Sequence, residues 1–476
     1  MQRKMAAAGG GSHTAAVAED GTLFVWGAGA NGVLGLGDCQ PLNREAPARV
    51  DNLTAPVVQV AAGGAHTGIV TERGDLLMCG LGVSGRLGVG DETNRLRPTL
   101  LDRALFDSEA VVMVACGEDH TAVLTESSSV YTFGRGRDGQ LGHGDASDDL
   151  LVPSRVQAAF NGEPIVMLAA GGSHTMALSE QGRVFTWGMG SGGRLGHCDE
   201  EDQRKPRAVC GWSQSRGLIV KGWMRDEVVF VAAGGAHSLA VTAGGQLFTW
   251  GVDEVGQLGQ GGTDNLLVPT LVQDAAFRGA AVVMGACGED HTMVVTRDGA
   301  LWACGWGGHG RLGLNDEAGR VRFARVGAAE FGGARIMTAM AGVKHSAAVS
   351  EDGALWAWGA GGHGRLGHGG DDNQLVPKRI LTSGRGCGDV RFGRCRTVSP
   401  QAMLAFAMGT HRRLGSRSKA HCSCLAGEPG LMALIARFCH CWPAGRPGEE
   451  PGLVRLLGGG ALARREAAQM RESAQI

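Results

Sequence analysis

The string Gly-x-x-His-[Ser/Thr] occurs seven times, with its histidines at His13, His66, His120, His174, His237, His291 and His345. The intervals are 53, 54, 54, 63, 54 and 54 residues. A near-constant period, broken by one insertion of nine residues, confines this chain to a repeat architecture in which one supersecondary unit is copied around or along an axis. Every copy continues alike. Apolar residues follow the histidine, then a turn such as Asp20-Gly21 or Asp298-Gly299, then an alternating segment such as Phe24-Val-Trp26-Gly27 or Phe248-Thr-Trp250-Gly251. A glycine cluster then closes on Leu-Gly, from Leu34-Gly35 to Leu366-Gly367, and several copies add a Val-Pro or Arg-Pro step at Pro98, Pro153, Pro269 and Pro377.

Short β-branched and aromatic runs bounded by Asp-Gly and glycine-rich turns predict strands. Two runs joined by Asp-Gly predict a hairpin with a type I′ turn. A Val-Pro step suits an outer edge strand, where a missing N–H costs no ladder bond. Each unit thus offers four strands, one propeller blade. No unit carries a helical 3.6-residue apolar period, which excludes helical solenoids. The fold class expected is all-β: a seven-bladed β-propeller over residues 5–381. Because the first Asp-Gly comes so early, the N-terminal strand is expected to join the last blade and so tie the ring. The repeat also accounts for the 81 glycines among 476 residues, since no collagen period is present.

The units resemble repeats of the regulator of chromosome condensation family. The residues that carry the resemblance are Asp-Gly-x-Leu-Phe/Trp-x-Trp-Gly, then Gly-x-Leu-Gly, then Val-Pro, then Val-Ala-x-Gly-x-x-His-Thr, over residues 5–381. A WD propeller is disfavoured because no Trp-Asp closes the units and the period is too long. A kelch propeller fits poorly with one Tyr in the whole chain. The resemblance implies a binding protein. In the family's Ran exchange factors, acidic residues in the Gly-x-x-His loops face the GTPase. Its light-sensing member carries Trp in these loops, and none of the seven here has one.

The two residues before each histidine vary while their frame does not: Gly11-Ser12, Gly64-Ala65, Glu118-Asp119, Gly172-Ser173, Gly235-Ala236, Glu289-Asp290 and Val343-Lys344. Equivalent propeller loops open on one face. Glu118, Asp119, Glu289, Asp290 and Lys344 are therefore the candidate partner-binding residues, expected to be exposed and to cost little stability when removed. The alternative is a pair of solvated acidic turns. The seven histidines are expected to be structural, each imidazole bonding backbone groups of a neighbouring turn with the hydroxyl assisting. One per blade, they form a wide ring, whereas a metal needs ligands converging to about 2 Å. Runs such as Gly27-Ala-Gly29-Ala-Asn-Gly32 match a dinucleotide fingerprint in spacing, but Leu-Gly and a polar loop follow where a phosphate cradle needs a helix. The insertion within 198–231, with Trp212 and Trp223, is either a partner-contacting protrusion or a longer loop.

Beyond residue 381 there are 14 basic and 6 acidic side chains, a net charge of +8, so residues 1–381 carry −10. Charge asymmetry concerns partners and not fold. The tail, 382–476, is expected to be a separate, largely disordered basic segment with weak nucleic-acid affinity. Its His421-Cys422-Ser-Cys424 and Cys439-His440-Cys441 lack the usual spacing for zinc. The body cysteines stand singly in apolar runs, as in a reduced intracellular protein. No secretory signal or membrane span is expected. No unit contains a nucleophile–base pair, so no catalytic residue, cofactor or metal is assigned. The function expected is a monomeric, cytoplasmic or nuclear interaction propeller that binds a protein partner through one loop face. The alternative is a guanine-nucleotide exchange factor for a small Ran-like GTPase, with chromatin association through the tail.

Overall fold

The computed structural model describes residues 7–37, 43–144, 148–157, 160–209, 227–273 and 277–381. The tail and its cysteine–histidine clusters, and Trp212 and Trp223 of the insertion, lie outside the described residues. The strands form seven four-stranded antiparallel sheets, each built from strands consecutive in the chain. The first comprises β1 (Ala7–Gly9), β2 (His13–Val17), β3 (Leu23–Ala28) and β4 (Asn43–Arg49). Blades 2 to 7 span Val57–Leu100, Val111–Arg155, Ile165–Ala208, Val228–Leu271, Val282–Arg325 and Ile336–Arg379.

The first strands of neighbouring blades pack against each other around the ring, including the first blade against the seventh. They are therefore innermost, and the fourth strands are outermost. Pro98, Pro153, Pro206, Pro269 and Pro377 all sit on those outer strands. The strand register shifts where each proline stands. With antiparallel order, the loops between strands one and two and between strands three and four open on one face. The hairpins between strands two and three, and the blade-to-blade connections, open on the other.

Two local expectations need correction. Each hairpin is a three-residue loop and not a two-residue type I′ turn. Gly21 N–H donates to Ala18 O at 2.9 Å, and Ala18 N–H to Thr22 O at 2.8 Å. Of the loop residues only Gly21 has positive φ, at 85°. That is a type I turn with a glycine bulge, which needs one left-handed residue where a type I′ turn needs two.

The ring closure also differs. The N-terminal strand does not join the last blade: Ala7, Ala8 and Gly9 pair with Ala16, Ala15 and Thr14 of their own sheet. The repeat is in phase with the chain from Ala7 onwards, so the first blade needs no strand from elsewhere and the last is complete at Arg379. Closure is by side-by-side packing of whole blades. Phe24 and Trp26 of blade 1 share a buried cluster with Met340, Val349, Leu355, Leu366 and Ile380 of blade 7. Similar clusters join the other six pairs of neighbours. Burial of apolar surface between blades, at about 25 cal/mol per Å2, is what holds the ring.

Candidate functional site

The histidines form the frame of the loop face. His13 Nε2 lies 3.0 Å from Thr67 Oγ1 of the next blade. The same contact recurs for His66 with Thr121, His120 with Thr175, His174 with Ser238, His237 with Thr292 and His291 with Ser346, at 2.8–3.0 Å. It closes between His345 and Thr14 at 2.8 Å. Each hydroxyl donates its one hydrogen to a backbone carbonyl of the Gly-x-Leu-Gly turn, as Thr175 Oγ1 does to Gln140 O at 2.8 Å. It must then accept from the imidazole, which fixes the Nε2–H tautomer. The roles expected from the sequence are thus exchanged: the hydroxyl is the imidazole's partner, and it is the hydroxyl that reaches the backbone. Burial pushes His13, His120 and His237 down to about 4 and His345 to about 3. Their neutral form satisfies the network.

The carbonyl of the turn accepts twice. Trp187 Nε1 donates to Gln140 O at 2.9 Å, beside Thr175. The following Leu-Gly must be glycine. Gly142 has φ +81°, and a Cβ there would come 2.8 Å from Trp187 Nε1. The glycine clusters that mimic a dinucleotide fingerprint lead into short turns, most of them single 3-10 turns such as Ser191–Gly193, and no α-helix follows among the described residues. Among the described residues no group of three or more His, Cys, Asp or Glu is placed to hold a metal ion.

On this frame the residue at or just past the end of each third strand lies beside the loop that precedes the histidine. Ala28, Leu81, Arg135, Met189, Val252, Trp306 and Ala360 each donate their N–H to the carbonyl of the residue just before a repeat histidine. The candidate residues therefore face a second variable ring that sequence reasoning did not single out. The two acidic loops differ in what that ring places beside them.

In blade 3, Glu118 is exposed, but Asp119 is not a free surface charge. Its Oδ1 lies 2.5 Å from Arg86 Nη1 and its Oδ2 3.4 Å from Arg135 Nη1. The Arg86 side chain is only 6% exposed and reaches in from blade 2, also donating to Val83 O at 2.9 Å. The expectation that both aspartates cost little to remove fails here, because Asp119 neutralises a buried guanidinium.

In blade 6, Glu289 is exposed and Asp290 is half-buried, and Lys344 of blade 7 is exposed. Neither Glu289 nor Asp290 makes an ion pair within 4 Å among the described residues. Partial burial pushes both carboxyls up. For Glu289 the charge of Asp290 adds to this, and Glu118 reaches it from the other acidic loop. Arg311 and Lys344 act on Asp290 from farther off and oppose the rise. Trp306, 37% exposed, stands where blade 3 has Arg135. Arg311 lies fully buried under it, its Cζ 3.9 Å from the Trp306 ring centroid. The described ends of the 198–231 insertion, Val209 and Glu227, belong to a blade-to-blade connection and so lie at the opposite face.

A closed seven-bladed ring with a repeated hydrogen-bonded frame defines a propeller whose loop residues vary from blade to blade while the frame does not. The repeat pattern and the comparisons agree on which propeller. An RCC1-like domain model matches residues 2–219, and the regulator of chromosome condensation (RCC1) repeat matches 244–295 and 352–394. The chain is 30% identical over 368 residues to the regulator of chromosome condensation of Xenopus laevis, covering 76% of this chain and 84% of that protein. It belongs to the regulator of chromosome condensation family. It is also 38% identical over 281 residues to the ultraviolet-B receptor of Arabidopsis thaliana, spanning 59% of this chain and 60% of the receptor's length. Among solved structures, Prp20p from Saccharomyces cerevisiae superposes with a TM-score of 0.64 at 25% identity, over 76% of this chain and 86% of that one. That structure is described together with its binding to Gsp1p and histones. No helix among the described residues is long and apolar enough to cross a membrane.

Proposed function

We propose that this protein is an interaction propeller whose Gly-x-x-His loop face binds a protein partner. The observation that supports the reading most is the contrast on that face: a histidine–hydroxyl frame repeated seven times, bearing loop residues that are small and neutral in four blades and charged in three. Charges on such a face serve to steer and orient a partner. In this reading residues 5–381 are the binding module and 382–476 a separable basic tail. The second reading, nucleotide exchange on a small Ran-like GTPase, is favoured by the Xenopus relative and by the Gsp1p binding described for Prp20p. Exchange requires only a surface that stabilises the nucleotide-free GTPase. The test is affinity capture with the full chain, followed by release of a fluorescent guanine nucleotide from any GTPase recovered. Partners that persist after Glu118→Ala, Glu289→Ala and Lys344→Glu are combined would remove the loop face from consideration. A captured GTPase with an unchanged release rate would remove the exchange reading.

A further inference from the structure

The two acidic loops are sequence-identical, Glu-Asp-His-Thr in both, and occupy equivalent positions in blades 3 and 6. The propeller thus contains its own control. In blade 3 two guanidiniums satisfy the aspartate, one from the preceding blade's Gly-Arg86-Leu-Gly turn and one from the residue after the third strand, Arg135. In blade 6 both are replaced. The preceding turn supplies Gln257, whose side-chain oxygen is taken by Val255 N–H of its own loop at 3.0 Å. The residue after the third strand is Trp306, whose backbone N–H donates to Asp290 O at 2.8 Å as Arg135 donates to Asp119 O at 3.0 Å. This backbone hydrogen bond is therefore kept, while the two guanidiniums that pair with Asp119 have no counterpart within 4 Å of Asp290 among the described residues.

We infer that Trp306, Asp290 and Glu289 form a receptor for an arginine side chain of a protein partner, which supplies to blade 6 the guanidinium that Arg135 supplies within blade 3. This rests on the loop face being the binding face and specifies the chemistry of what it takes. Trp306 is the sole tryptophan among the large apolar side chains exposed in the described residues. Its inner face is held by Arg311 and its edge by His309, with ring centroids 6.1 Å apart at 61°. An indole fixed in this way loses little rotamer freedom on binding, as suits an interface anchor. Arginine stacks on aromatic faces and pairs with carboxylates through the same planar fork, which lysine cannot do. Glu254, which acts electrostatically on Asp290, adds to the negative field, while Lys344 and Arg311 moderate it. Because Asp290 is half-buried and makes no ion pair within 4 Å among the described residues, an incoming cation gains more there than at the solvated acids elsewhere on the surface.

The experiment uses the full chain labelled with 5-fluorotryptophan, with the Trp306 resonance identified in the 19F spectrum from Trp306→Phe. The probes are a capped peptide carrying one arginine between alanines and its citrulline counterpart, which keeps the shape and loses the charge. The Trp306 resonance should move saturably with the arginine peptide at millimolar concentrations, as for a single-residue contact. The citrulline peptide should bind at least about three-fold more weakly, as should the arginine peptide to Asp290→Asn. Asp119→Asn should bind like the parent, with urea unfolding showing that each variant is folded. Equal response to the two peptides, no response, or binding unaffected by Asp290→Asn would overturn the inference. A partner captured by the full chain and retained by a Trp306→Ala, Asp290→Asn double variant would overturn it while leaving the loop-face reading intact. Arginine binding with no partner captured would do the reverse.

Discussion

The histidine ring sets a stability test that distinguishes one joint from another. Thr175→Val removes a hydroxyl with almost no change of shape at a fully buried site. His120 Nε2–H then loses its acceptor at 2.9 Å, while Gln140 O keeps its bond from Trp187 Nε1 at 2.9 Å. One buried donor is orphaned, at a cost of about 1–3 kcal/mol. Thr14→Val strikes the closing joint, where His345 Nε2–H and Arg365 O are both partners of the hydroxyl, at 2.8 and 2.9 Å. Here Trp26 Nε1, buried against Gly367, makes no hydrogen bond, so Arg365 O has no indole to fall back on. Two groups are orphaned, and the cost should exceed that of Thr175→Val by roughly 1 kcal/mol or more. Urea unfolding at pH 7.5, followed by tryptophan fluorescence and by circular dichroism to confirm a common transition, gives both values. If Thr14→Val unfolds with the parent, or costs less than Thr175→Val, then the closing joint is not a hydrogen-bonded copy of the others and the argument from the ring fails.

Acid should destabilise the propeller through the same histidines. Their folded-state pKa values, about 4 for His13, His120 and His237, lie below the unfolded value of 6.5, so the unfolded chain binds more protons as pH falls between these limits. Stability is full above about pH 6.5 and declines toward pH 4, by about 1 kcal/mol per histidine at pH 5.5. A urea midpoint that stays level from pH 8 to 5.5 would contradict neutral buried imidazoles. Deleting residues 1–18 removes β1, β2, His13 and Thr14, leaving blade 1 with two strands and no closing joint. The product should be insoluble or unfold at much lower urea, and unfolding like the parent would refute the contribution assigned to blade 1. Asp119→Ala should cost about 1–3 kcal/mol, less than for a fully buried pair because Asp119 is 25% exposed. Asp290→Ala should be within about 0.5 kcal/mol of the parent. Equal urea midpoints for the two would show that Arg86 does not depend on Asp119.

The fold could be derived from the chain because its information is local and repeated seven times. Alternation in Phe24-Val-Trp26, a turn glycine at a fixed offset in most copies and a proline on most outer strands concern neighbours in sequence, and repetition separates these signals from chance. The constant histidine and the varying pair before it were likewise evident, which is why Glu118, Asp119, Glu289, Asp290 and Lys344 stand out. What those residues meet could not be seen. Arg86 is 33 residues from Asp119 and belongs to another blade. Trp306 comes beside Asp290 only because its backbone N–H caps that loop. The hydroxyl that each histidine meets stands 54 or 55 residues away, 64 for His174 and Ser238, and 331 for His345 and Thr14. Sequence identity between the two Glu-Asp-His-Thr loops therefore predicts identical chemistry, and packing decides otherwise. A carboxylate with a buried guanidinium against it is part of the frame, whereas the same carboxylate beside a half-exposed indole makes no ion pair within 4 Å among the described residues. Ring closure follows the same rule. The repeat determines the number of blades, but whether the ends share a blade or meet as two complete ones depends on pairing across the whole ring, where Ala7–Gly9 pairs with β2.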